Sequence, residues 1–301
     1  MIDYVFPYVD MNDEVWKRQY IETRRKLNLP TDINSVRFED NGRLKYLFRG
    51  IDKFMPWINK IHMIVSNIEQ VPDWIDQEKV HIVLHKDIIP HELLPVFNST
   101  AIEMFLGNIP DLADKFIYGN DDCYPIRKLE EADFFENNIP KIKLKEDKGI
   151  NSQFKKVEYN SQRIIADCFG IKLSDPNEHF LKVEHTFAPL TKEVCRIILD
   201  KFWKKVYNSV TPFREEKNIN QYIYTYYIYF SEVYLPSNRT YKYSALKDIK
   251  TTIFDVIRNQ AVDSVCLNDC SKNKALTEYF KKEAIKAFDS ILPDKSKYEK
   301  E

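Results

Sequence analysis

One short apolar run, Phe116-Ile117-Tyr118, stops abruptly at Gly119-Asn120-Asp121-Asp122. The run reads as a buried strand, and its end places two carboxylates side by side. Adjacent carboxylates repel, so such an end destabilises a fold unless a cation sits beside it. The ends of strands in open α/β sheets are also where phosphorylated ligands bind. Two readings follow: a divalent-metal site that handles a diphosphate, or a polar turn, since Asn and Asp are favoured turn residues.

The surroundings of that run define a fold class. Candidate strands at 2–9, 61–65, 80–85 and 115–118 alternate with helical stretches. One helix covers 14–28, with Asp13 as its cap. A second follows the turn Asp40-Asn41-Gly42, sets Leu44, Leu47, Phe48, Ile51 and Phe54 on one face, and ends at Pro56. A third is capped by Asn98-Ser99-Thr100. This alternation predicts an α/β fold, a Rossmann-like, mostly parallel sheet flanked by helices, over residues 1–135. Residues 141–156 are Lys-rich around a lone Gly149 and read as a mobile excursion. Beyond them the pattern is mainly helical, at 190–206, 218–233 and 274–291.

Composition excludes several functions. The formal net charge of -1 provides no basic field for nucleic acid. Only six glycines occur, with neither G-x-x-x-x-G-K-[ST] nor G-x-G-x-x-G, so a diphosphate must be held by metal, Arg, Lys or helix N-termini. Cys123, Cys168, Cys195, Cys266 and Cys270 form no secreted disulfide pattern and are expected to be reduced. No basic segment followed by an apolar run opens the chain, and no uncharged apolar stretch is long enough to span a bilayer. A soluble, cytoplasmic protein is expected.

Other candidates carry paired readings. The loop of Asp10, Asn12 and Asp13 follows the first strand, as a nucleotide contact or as a turn with a helix cap. Arg43 reads as a solvated helix face. Arg49 falls near the apolar face, where its charge needs a partner, and its fork suits phosphate oxygens. Glu103 lies among apolar neighbours, as an acid or base or as half of an ion pair with Lys. His185, between a strand-like run and a helix start, is the best candidate for a general base, against a structural or exposed role. Arg214 precedes the Tyr-rich helix, as a phosphate ligand or as an exposed pair with a neighbouring Glu; the rings of that helix read as core, with a membrane-interface belt the weaker alternative. Cys266-Leu267-Asn268-Asp269 repeats the apolar-to-acidic ending, and a shell formed with Asp121 and Asp122 would suit Mg2+ or Mn2+. The C-terminal helix, with Leu276, Phe280, Ile285, Phe288 and Ile291 on one face, reads as ordinary packing, with peripheral membrane attachment as the sharper alternative.

Taken in order, these motifs resemble the Stealth family of sugar-1-phosphate transferases. The first region resembles Ile2 to Asp10 with Asn12, Asp13 and Trp16. The second resembles Asp40 to Arg49, Pro56-Trp57-Ile58, His85-Lys86-Asp87-Ile88, Phe97 to Glu103 and Phe116 to Asp122. The third is looser, around His185 with Pro189 and Arg214 with Asn218, and the fourth is Cys266 to Asp269. Met11, Thr100 and Asn218 stand where Gly, Pro and an acidic residue are usual. The resemblance implies one catalytic domain over 1–301, with a nucleotide-sugar half at 1–135 and a half at 157–301 that completes the site. It implies transfer of a sugar 1-phosphate from a UDP-sugar to a saccharide hydroxyl in capsule or exopolysaccharide synthesis, releasing UMP; the alternatives are a metal-dependent glycosyltransferase that releases UDP and a non-catalytic glycan-assembly subunit. Asp122 and Asp269, helped by Asp121 and Asn268, would hold Mg2+ or Mn2+. Arg49 and Arg214 would hold phosphate. His185 would take the hydroxyl proton, and Glu103 would orient the acceptor or share that task. Asp10, Asn41 and Asn120 would lie near the nucleotide.

Overall fold

A computed structural model describes residues 1–33, 38–39 and 41–300, so Asp40 of the expected turn lies outside the described residues. The first half runs β1 (Ile2–Pro7), α1 (Glu14–Lys26), α2 (Leu44–Phe54), β2 (Ile61–Val65), β3 (Val80–Leu84), α3 (His85–Ile88), α4 (Ser99–Glu103), β4 (Lys115–Tyr118) and β5 (Cys123–Pro125). The second runs β6 (Phe135–Glu136), β7 (Ile139–Ile142), β8 (Leu144–Asp147), α5 (Gln153–Cys168), β9 (Phe180–Val183), β10 (Ala188–Thr191) and α6 (Lys192–Ser209). It continues through α7 (Tyr222–Phe230), β11 (Leu235–Pro236), β12 (Tyr241–Leu246), α8 (Ile253–Arg258), β13 (Ser264–Asp269) and α9 (Lys274–Asp289).

The central sheet has the order β10-β4-β1-β2-β3. Strands β4, β1, β2 and β3 are parallel, and β10 closes the edge antiparallel to β4. A strand covered on both faces is mostly apolar, as β1 and β2 are; their two buried polar residues, Asp3 and His62, pair with each other at 2.9 Å. Alternate side chains of β1 enter different cores: Tyr4 and Phe6 pack with α2, α8 and α9, while Val5 packs with α6 and α7. Between β1 and β4 the chain's direction of travel across the sheet reverses. The carboxyl ends of these two strands therefore flank a crevice, the usual ligand position in an open α/β sheet.

Helix starts follow local chemistry. The Asp13 carboxylate accepts the Val15 N–H at 2.8 Å, and Asn98 Oδ1 accepts the Thr100 N–H at 3.0 Å. Helix α9 buries Phe280, Ala284, Ala287 and Phe288, with Phe288 stacked on Tyr46 at 5.1 Å between ring centroids. Its apolar face is thus used in packing, as the simpler reading expected. No helix among the described residues is long and apolar enough to cross a membrane.

Two segments differ from expectation. Residues 141–156, read as a mobile excursion, form the end of β7, strand β8 paired with β9, and the start of α5. The second half also contains eight strands among its helices. Most of them are short or edge strands, with burial too patchy for a period-2 signal. One of them, β13, pairs antiparallel with β5 and parallel with β12 in a second sheet.

Candidate active site

The loop after β4 is pinned by close packing. The Gly119 N–H donates to the Val5 carbonyl at 3.0 Å, and a Cβ on Gly119 would fall 2.0 Å from the Tyr4 hydroxyl. Only glycine fits there, so the chain leaves the sheet against β1 and delivers Asn120, Asp121 and Asp122 at the crevice.

Strand β13 brings the second acidic ending to the same place. Cys266 pairs directly with Cys123, and the Leu267 N–H donates to the Asp122 carbonyl at 2.9 Å. A cavity of about 960 Å3 opens here. Asn41, Glu103, Asn120, Asp121, Asp122, His185, Arg214, Asn268 and Asp269 all line it. Nine of the residues singled out from sequence thus converge, from six separate segments of the chain.

Two do not. Arg49 does not line the cavity: its guanidinium pairs with Glu299 at 2.8 and 3.0 Å and donates to the Leu292 and Pro293 carbonyls. The apolar helix face that suggested a partner supplied one, but a structural one. Asp10 also stays outside the lining. Its carboxylate accepts the Asn12 N–H and side-chain amide, each at 2.9 Å, as an Asx turn does.

Asp269 takes a different position from that of an open metal ligand. Arg43 and Asn41 occupy both of its oxygens, Arg43 through a fork and Asn41 at 2.8 Å. Arg43 was read as solvated, yet it is 5% exposed and lines the cavity. Its partner lies 226 positions along the chain, so no local pattern announces it.

His185 sits in the bend between β9 and β10. Its Nδ1 is 3.0 Å from the Tyr222 hydroxyl, and its Nε2 is 3.3 Å from Asn120 Nδ2. With Asn120 donating to Nε2, Nδ1 carries the proton and donates to Tyr222, a tautomer assigned from the network. The Asn120 Oδ1 is 3.1 Å from the Tyr118 hydroxyl, which is 3.1 Å from Glu103 Oε1. Glu103 Oε2 accepts the Gln221 N–H at 3.0 Å, so this carboxylate is held by neutral donors and not by a Lys. Arg214 donates to Ser99 Oγ at 3.2 Å, beside the N-terminus of α4, instead of pairing with a neighbouring Glu.

The donor set bears on the metal. Burial, with the charge of Asp122 beside it, pushes the Asp121 carboxyl up to about 8. Arg43, whose charge reaches Asp121, is bonded to Asp269. Two crowded carboxylates without an ion pair among the described residues, plus the Asn268 side chain on the same wall, make an oxygen-rich set that fits a hard divalent ion.

Comparison with known proteins gives the family. The description "Stealth protein CR2, conserved region 2" matches residues 37–143. An exopolysaccharide phosphotransferase from Lactiplantibacillus plantarum is 30% identical over 99% of this chain and 96% of its own length. The chain belongs to the Stealth family. A capsular polysaccharide phosphotransferase from Streptococcus pneumoniae is 29% identical over 99% of this chain and 98% of its own. The galactosyltransferase LgtC, crystallised with donor and acceptor sugar analogues, matches over 96% of each chain at 12% identity, with a TM-score of 0.43. A likeness that loose carries no argument about a Stealth site.

Tyr222, Tyr243 and Glu158 also line the cavity but were not singled out as site residues. The tyrosines of α7 recur at helical spacing and read as core, and Tyr222 is in fact buried. Its hydroxyl makes the contact to His185, which periodicity does not register.

Proposed function

We propose that this Stealth protein transfers a sugar 1-phosphate from a UDP-sugar to a saccharide hydroxyl, forming a phosphodiester and releasing UMP. The observation that carries this reading is the convergence of His185, Arg214 and the Asn120-Asp121-Asp122 ending on one cavity. The kinship with bacterial polysaccharide phosphotransferases supports it.

In this reading the acceptor oxygen attacks the sugar-bearing phosphorus, and the bond from that phosphorus to the UMP oxygen breaks. His185 Nε2 takes the acceptor proton while Nδ1–H donates to Tyr222, which steadies the ring as it becomes cationic. Arg214 binds phosphate oxygens with its guanidinium. Asp121 and Asp122, with Asn268, would hold Mg2+ or Mn2+, which supplies positive charge to the diphosphate and so lowers the barrier to attack. Glu103 is a positioning residue: it acts through Tyr118 on Asn120, and through Asn120 on His185. Asn41 and Arg43 fix Asp269 and so shape the wall beside the acidic pair.

The test is the mass of the product. With a panel of UDP-sugars, Mg2+ and oligosaccharide acceptors, the acceptor should gain a hexose and a phosphate together. Gain of a hexose without phosphate refutes the reaction.

A further inference from the structure

Asp122 of the acidic pair also belongs to a second donor set of different chemistry. Asp122, Cys123, His185 and Cys266 offer ligand atoms that all lie within 4.8 Å of one another. The two cysteines are 1% exposed and fixed directly opposite each other on the paired strands β5 and β13. Asp122 and His185 face the cavity, so an ion has a way in. Cys123 Sγ is 3.6 Å from Asp122 Oδ1, and with His185 Nδ1 held by Tyr222, Nε2 becomes the ligand atom once an ion displaces its 3.3 Å contact with Asn120 Nδ2.

The geometry points to a tetrahedral site for a thiophilic divalent ion, Zn2+ in chemical class, formed by Asp122, Cys123, His185 and Cys266. Two thiolates, one imidazole and one carboxylate are a zinc set, whereas Mg2+ avoids sulfur. Zinc bond lengths place neighbouring ligand atoms about 3.3–3.8 Å apart, so the set closes on an ion with shifts of about 1 Å. Binding replaces the two thiol protons, which leave to solvent, with two sulfur–metal bonds. The Tyr222 hydroxyl, accepting from His185 Nδ1–H, is the outer partner that such a ligand ordinarily has.

Zn2+ held there occupies the His185 nitrogen and an Asp122 oxygen. It therefore inhibits turnover even with Mg2+ present. This consequence rests on the roles proposed above for His185 and Asp122, whereas the binding itself does not.

The experiment titrates the metal-free, fully reduced protein with Co2+, followed by optical absorption, and then competes with Zn2+ and with Mg2+. The expected result is a thiolate-to-cobalt charge-transfer band with intense tetrahedral d–d bands at one equivalent, displaced by Zn2+ but not by excess Mg2+. The bands persist in Cys168→Ser/Cys270→Ser and vanish in Cys266→Ser and in His185→Ala. Tyr222→Phe weakens binding by roughly 10–100-fold. Absence of the thiolate band in the wild-type protein overturns the site, and this reading needs no variant to fold. A band that survives in both Cys266→Ser and His185→Ala overturns it as well. If no UDP-sugar is turned over at all, the spectrum still decides the site. If turnover occurs and one equivalent of Zn2+ leaves it unchanged, the inhibitory role falls.

Discussion

The Leu267 N–H donates to the Asp122 carbonyl at 2.9 Å, tying the two Asn-Asp endings of the chain into one wall. The bond fixes the backbone of both endings within that wall, so the acidic groups depend on β13 as much as on β4.

His185→Ala is expected to lower kcat by roughly 10²–10⁴-fold with little change in donor affinity, because a positioned base acts only as the proton moves. Glu103→Gln can keep a carbonyl oxygen for the Gln221 N–H while its amide N–H donates to the Tyr118 hydroxyl oxygen, so it should cost much less than Glu103→Ala. Steady-state kinetics for the three variants check the order.

Asp121→Asn removes one of two crowded carboxylates. Above about pH 8, where the Asp121 carboxyl is charged, thermal melting should show raised stability, since a buried charge and its repulsion with Asp122 are removed. The same variant should need more Mg2+ for half-maximal turnover. A variant that is less stable and has an unchanged Mg2+ requirement would contradict the placement of the ion.

Arg43 and Arg49 are expected to separate stability from activity. Each pairs with a poorly exposed carboxylate, Asp269 and Glu299 respectively. Removing either arginine leaves a stranded charge, at a cost of about 3–5 kcal/mol in denaturant unfolding. Arg49→Ala should leave kcat unchanged in the folded fraction, whereas Arg43→Ala should also lower it, because Asp269 lines the cavity.

Glu158 should make stability depend on pH near neutrality. Burial raises its carboxyl from 4.5 to about 7, against hydrogen bonds from Val183 N–H and Tyr226. Between those values the folded protein keeps a proton that the unfolded chain has lost. Stability from this group is complete below pH 4.5 and falls as pH rises through 7, by on the order of 3 kcal/mol. Glu158→Gln should flatten the profile between these limits, as unfolding at several pH values will show.

The first-half fold was legible because strands buried on both faces are mostly apolar, with any buried polar group paired as Asp3 is with His62, and helices between them are amphipathic. The ending at Asp121 and Asp122 stood out for the same reason: charge directly after an apolar run is unfavourable without a purpose. Arg49 shows the limit of that logic. A charge on an apolar face does need a partner, but sequence cannot separate phosphate from Glu299, which lies 250 positions away. Arg43 failed in the opposite sense, since its Asp269 partner lies across the fold. The short strands after residue 135 alternate too briefly for periodicity to register them.

Transfer at phosphorus is tested most directly by the nucleotide released. Chromatography of the reaction with UDP-sugar, Mg2+ and acceptor should show UMP appearing in step with product, and appearing roughly 10²–10⁴-fold more slowly with His185→Ala. Release of UDP in step with product would mean attack at the sugar carbon and would contradict the account.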